Sequence, residues 1–225
     1  MSNHRAEDIS DAWQPEPRWH VLIAVSAVAG LYFALPEDLV SGPRWLFPAI
    51  VFALVVPTFI MHAKRYHRIE RILGFILSGV LTLGMIVSVI EMVQALPDIK
   101  SASLLLSSAG FLWFTNVIVF ALWYWRIDAG GPHRREKREG HPDGSFLFPQ
   151  MTMPPEAKTD ANQDEWSPNF IDYLFIAFNT STAFSPTDVP VLDRWAKALM
   201  MTQSVISLTV IALLAARAVN ILSQS

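Results

Sequence analysis

The sequence predicts an all-α integral membrane protein with four spanning helices, a polar loop, a short re-entrant-like helix and a long final helix. Three observations lead there. Hydrophobic residues make up 52% of the 225-residue chain and charged residues only 16%, against about 25% charged in an ordinary soluble domain. The deficit is uneven: long apolar runs are separated by short charged clusters, which is how a multi-spanning protein divides its chain between hydrocarbon and water. Trp and Tyr gather where those runs end, at Trp19, Trp45, Trp123, Tyr124 and Trp125, as amphipathic rings do at the level of the lipid headgroups.

The elements follow in order. Residues 1–18 form a polar N-terminal segment, not read as a cleaved leader because no short apolar region with a small-residue cleavage site follows. Residues 19–101 hold three membrane helices: Trp19 to Leu35, closed by Pro36; Trp45 to Met61; and Ile72 to Leu96, closed by Pro97. A fourth, Ala102 to Trp125, opens a second unit over residues 102–225. A hydrocarbon core of roughly 30 Å takes about 20 helical residues, and all four runs are near that length. Pro48 and Pro57 kink the second helix without excluding it. The small residues Ala24, Ala27, Gly30, Gly74, Ser78, Gly79 and Gly84 are read as places of close helix packing.

Residues 127–167 are rich in Gly, Pro and charge, and are expected to be an aqueous loop without regular structure. Its apolar island, Phe146, Leu147, Phe148 and Pro149, has two candidate docking partners, the membrane surface and the protein itself. Residues 168–182 form a short apolar helix. From Phe170 to Thr182 it would reach only about 20 Å, too little for a crossing, so a re-entrant half-helix is expected. Such backbone persists at membrane depth when buried in protein or lining a watery cavity. A polar turn over 183–191 and a final helix over 192–223 complete the chain.

Several classes of function are excluded or unsupported. The chain has no cysteine, which removes disulfides, thiolate metal sites and Cys nucleophiles. A net charge of −3 without a long basic block gives no sign of nucleic acid. No HExxH, GxSxG or Walker loop is present. The chain is therefore not expected to be an enzyme, and no catalytic residue, cofactor or metal ligand is assigned. His133, His141 and Asp143 match no ligand spacing. His62 and His67, beside Lys64, Arg65 and Arg68, are read as a basic loop. Asn116 is expected to make an interhelical hydrogen bond, and Asn179 needs partners within its apolar helix. Glu91 and Arg217 are the candidate intramembrane charges, Arg217 with the alternative of reaching the headgroups.

The last third of the chain resembles the pore module of tetrameric potassium channels. Asp172, Tyr173, Leu174, Phe175, Ile176, Ala177 and Phe178 match its pore helix without a gap. Asn179 to Phe184 stand where the family has its Thr-rich approach to the filter, Ser185, Pro186 and Thr187 on its Gly-Tyr-Gly, and Asp188 on the Asp beyond. The run Ala212 to Val219 is similar to the end of the family's inner helix. Phe120, Ala121 and Leu122, with Ala183 to Asp188, also resemble a family of bacterial multi-pass membrane proteins that carries no established activity.

The resemblance implies a homotetramer in a cell inner (plasma) membrane, with the lipid bilayer and monovalent cations as partners. It implies pore or filter-like roles for Asn179, Thr180, Thr182, Phe184, Ser185, Pro186, Thr187 and Asp188. One departure matters. No glycine follows Gly144, and Pro186 fixes its own backbone and extends Ser185. A stack of inward carbonyls needs permissive backbone, so a potassium-selective filter is not expected. Side chains of Thr180, Thr182, Ser185, Thr187 and Asp188 would line a constriction that favours cations with weak discrimination. The alternative is a non-conducting scaffold or accessory subunit that keeps a pore-like hairpin as packing.

Lys64, Arg65, Arg68 and Arg71 in one loop, and Arg134, Arg135, Lys137 and Arg138 in another, place both loops and the N-terminus in the cytoplasm. The short helix then enters from inside, whereas potassium-channel pores enter from outside. Three resolutions are open: an inverted pore loop, as in glutamate-receptor channels; a short helix that crosses; or an external N-terminus.

Overall fold

A computed structural model describes residues 19–36, 39, 40, 42–95, 101–135, 144–162, 166–185 and 188–222, with the side chains at 102 and 217–222 also outside the description. The described chain is all-α, without strands. Helix α1 (Trp19–Ala34) stops just before Pro36, because a residue preceding proline is pushed out of the helical region. Helix α2 (Leu46–Ala63) carries Pro48 in its first turn, where no N–H is needed. Pro57 lies inside it, and next door Thr58 Oγ1 donates to Leu54 O at 2.7 Å.

Arg65 takes a left-handed φ of 59° and turns the chain at once into α3 (His67–Ala95). This helix starts earlier than the expected Ile72, so the basic residues after His67 are helical rather than loop. Helix α4 (Ala102–Ile127) is capped by Ser101, whose Oγ accepts from Leu104 N at 3.3 Å.

Two sequence expectations are corrected here. The stretch after α4 contains regular structure: a 3-10 turn (Asp128–Gly130) and the short helices α5 (Pro132–Arg135), α6 (Pro149–Thr152) and α7 (Pro155–Asp160). Each of these helices opens on a proline, because a missing N–H and a preset φ suit the first helical position. The same prolines were the reason for expecting no helix. The apolar island docks on the protein: Phe146 and Phe148 are 1% and 3% exposed and pack edge-on against Tyr173.

Helix α8 (Phe170–Ala183) begins at a capping box, in which Asn169 Oδ1 accepts from Ile171 N at 2.8 Å and Asp172 Oδ2 from Asn169 N at 2.8 Å. Burial pushes the Asp172 carboxyl above its ordinary range, opposed by the Asn169 N–H. Helix α9 (Arg194–Leu222) ends the described chain.

Among the described residues, four helical stretches are long and apolar enough to cross a membrane: Leu46–Ala63, His67–Ala95, Ser103–Arg135 and Arg194–Ala216. They are the last three of the four expected runs and the long final helix; helix α1, with 16 residues, falls short at about 24 Å. Helix α4 is the centre, packed by α1, α3, α8 and α9. Outward faces are apolar: Phe52 and Met201 are each 69% exposed. Lipid solvates such faces at no cost, whereas water would not. Of the small residues, Gly74 and Gly84 serve close approach. A Cβ on Gly84 would lie 2.2 Å from Phe47 Cε2, and one on Gly74 1.7 Å from Arg126 Nη1.

Candidate functional site

The packing of α8 and α9 against α4 is built on two buried polar centres. The first is Asp128, immediately after α4. Its Oδ1 accepts from Ser145 N at 2.5 Å and Phe146 N at 3.3 Å, and its Oδ2 accepts from Tyr173 OH at 2.6 Å. Arg135 Nη1 donates to the carbonyls of Trp125 and Asp128 at 2.8 and 2.9 Å, and its guanidinium lies 5.1 Å from the Tyr173 ring centre. The second centre lies near the middle of α4. Asn116 Nδ2 donates to Ser207 Oγ at 2.8 Å and Gln203 O at 3.2 Å, with Ser181 Oγ at 3.5 Å. Gln203 Nε2 donates to Ala177 O at 2.7 Å and Ser181 Oγ at 2.8 Å, while Gln203 Oε1 accepts from Tyr124 OH.

These contacts give the direction of each helix. Tyr173, near the start of α8, sits at the end of α4, and Ser181, near the end of α8, sits at α4's middle. Helix α8 is therefore antiparallel to α4 and stops about halfway along it. Helix α9 starts beside the same end of α4: Leu192 N donates to Ser145 O at 2.8 Å, and Ser145 is held by Asp128. It then passes α8 in step, Gln203 beside Ala177 and Ser181. Consecutive helices that pack in parallel need a connection that returns the height of the first. Fourteen residues of α8 rise about 21 Å, and residues 184–193 cover that distance when extended. The starts of α8 and α9 therefore lie at the same end of α4.

The predicted site residues divide. Thr180 is buried, with Oγ1 donating to Ile176 O at 2.8 Å, so it faces the helix packing. Asn179 is half-buried. Thr182, Ser185 and Asp188 are exposed. Thr182 Oγ1 donates back to Phe178 O at 2.9 Å, which leaves its oxygen able to accept. Phe184 closes α8 in the left-handed region at φ 54° and is 44% exposed. Pro186 and Thr187 lie outside the described residues, as do His141 and Asp143. Glu91 is half-buried on α3, and Arg217 falls on the α9 backbone with its side chain outside the description. Asn116 makes the expected interhelical bonds.

Sequence reasoning missed Asp128, Gln203 and Arg135. Gln203 had a signal, a lone amide within an apolar run. Asp128 had none, because a carboxylate at a helix end reads as a solvated loop residue.

The two basic clusters meet at the same end of the molecule as Asp128. The His67 and His133 rings stack with centroids 3.4 Å apart. Beside them lies a cavity of about 390 Å³ lined by Arg68, Arg71, Arg126 and Arg134 among others. Arg126 reaches it over Gly74 and lies 5.4 Å from the Trp125 ring centre.

No protein family matches this chain, and neither does any curated protein or solved structure.

Proposed function

We propose that this membrane protein is a pore-loop subunit that assembles as a homo-oligomer, most simply a tetramer, in a cell inner membrane. It passes monovalent cations with weak discrimination. One observation carries the reading: the half-height helix α8 packs parallel to α9, and Thr182 in its last turn and Ser185 and Asp188 beyond it are exposed. Hydroxyl and carboxylate oxygens at such a turn give a cation polar ligands at membrane depth. The ungapped resemblance of Asp172 to Asp188 to potassium-channel pores agrees with this reading. So does the exposed apolar face of α9, with Met201, Val205 and Leu208, available to neighbouring copies.

The basic end of the molecule is the end from which α8 enters, so the positive-inside rule favours the inverted form of the loop.

Ion flux through the purified protein in planar bilayers tests the proposal. The chain has no native cysteine, so Thr182→Cys and Ser185→Cys report cleanly. Currents that thiol reagents block in these variants and not in the wild type are expected. Silence from folded, oligomeric protein would favour the second reading, a non-conducting scaffold. The absence of glycine after Gly144 supports that alternative.

A further inference from the structure

The α2–α3 turn brings together three donor atoms that no motif announces. Glu70 Oε2 lies 3.3 Å from His62 Nδ1 and 3.5 Å from His67 Nδ1, and the three ligand atoms are all within 4.8 Å of one another. Nitrogen and oxygen ligands sit about 2.0–2.2 Å from a tetrahedral zinc-type ion, which puts the edge between any two of them at roughly 3.3–3.6 Å. Both short separations fall in that window. Two ring nitrogens converge on one carboxylate oxygen, with spacings that a shared cation would fit.

The backbone builds the cluster. Arg65, held left-handed at φ 59°, reverses the chain so that His62 on the last turn of α2 meets the first turn of α3. On α3, His67 and Glu70 stand three apart and so share a face. The carboxyl is largely shielded, its side chain 12% exposed, and the His133 ring stacked on His67 fixes the imidazole plane.

We propose that His62, His67 and Glu70 bind one transition-metal dication of the zinc and cobalt class. Two imidazoles and one carboxylate suit such ions, whereas calcium and magnesium take all-oxygen shells. Three protein ligands leave a fourth position open. The 390 Å³ cavity borders His67 and Glu70, and its arginines favour an anion or hydroxide there. The site is independent of the pore reading and stands at the molecule's basic end.

The test uses full-length, tag-free protein in lipid nanodiscs, titrated with Co²⁺ and then Zn²⁺. Expected are visible ligand-field absorption at one Co²⁺ per chain, displacement by Zn²⁺, and no competition from Ca²⁺ or Mg²⁺. Loss of outer-shell groups alone weakens metal sites about 10–100-fold. His62→Ala and Glu70→Gln should therefore each weaken binding by at least about tenfold and abolish the metal-dependent rise in unfolding temperature. His62 is partly exposed at a helix end, so His62→Ala should keep the metal-free unfolding profile and decides the matter if Glu70→Gln is unstable. No stoichiometric binding by the wild type, or equal binding by His62→Ala, overturns the proposal.

Discussion

Asp128→Ala would take an acceptor from three buried donors at once: the N–H groups of Ser145 and Phe146 and the hydroxyl of Tyr173. Each orphaned buried group costs about 1–3 kcal/mol. The variant should lose at least about 3 kcal/mol in denaturant unfolding, and Tyr173→Phe about 1–2 kcal/mol. Phe184 is a different case. A left-handed non-glycine residue costs roughly 1–2 kcal/mol, and Phe184 repays little of that within the protomer because it is 44% exposed. Phe184→Gly is expected to raise the stability of the single chain in denaturant unfolding. If the proposed oligomer forms, a fall in the assembled fraction would place the ring between copies. At this scale the sequence was read best where a polar residue interrupts an apolar run, as at Asn116. It was read worst at Asp128, whose partners arrive from 17 and 45 residues away and leave no local trace.

Helix α8 is held at both ends by different means, and the two can be separated. At its start, the Asn169–Asp172 capping box satisfies N–H groups, so Asn169→Ala should cost about 1 kcal/mol. Further along, Gln203 supplies donors to Ala177 O and Ser181 Oγ and accepts from Tyr124. Gln203→Leu keeps the volume but empties those bonds. It should cost about 2–3 kcal/mol and speed hydrogen exchange over residues 177–183 more than over 170–173. The short length of α8 and its half-helix character were legible in its composition. The helices within the long loop were not, because proline reads as a breaker unless its position in the turn is known. Helix boundaries at charged residues were also misplaced, since α3 extends its helix beyond the apolar run to present His67 and Glu70.

At the scale of the whole molecule, the parallel α8–α9 pair makes a statement about sidedness. Single cysteines at Tyr66, Ala161 and Leu192, all exposed, should react with a membrane-impermeant maleimide from one and the same side, and only after cells are opened. Labelling of Ala161 and Leu192 from opposite sides would mean that α8 crosses. The all-α membrane class and most helix positions followed from hydropathy, because bilayer thickness imposes a length that a sequence displays. The two buried polar centres did not, because they join side chains from α4, the loop, α8 and α9, which only the packed structure brings together.

Those centres also set an order for biosynthesis. The amide that partners Ala177 and Ser181 lies 22 residues further on for Ser181, so at ~5–20 residues per second it is made about 1–4 s later. Until α9 emerges, Ala177 O lacks its Gln203 donor and Ser181 Oγ keeps only the longer approach of Asn116. A nascent chain halted between them should leave α8 exposed to protease at the membrane face, and completing α9 should draw it in.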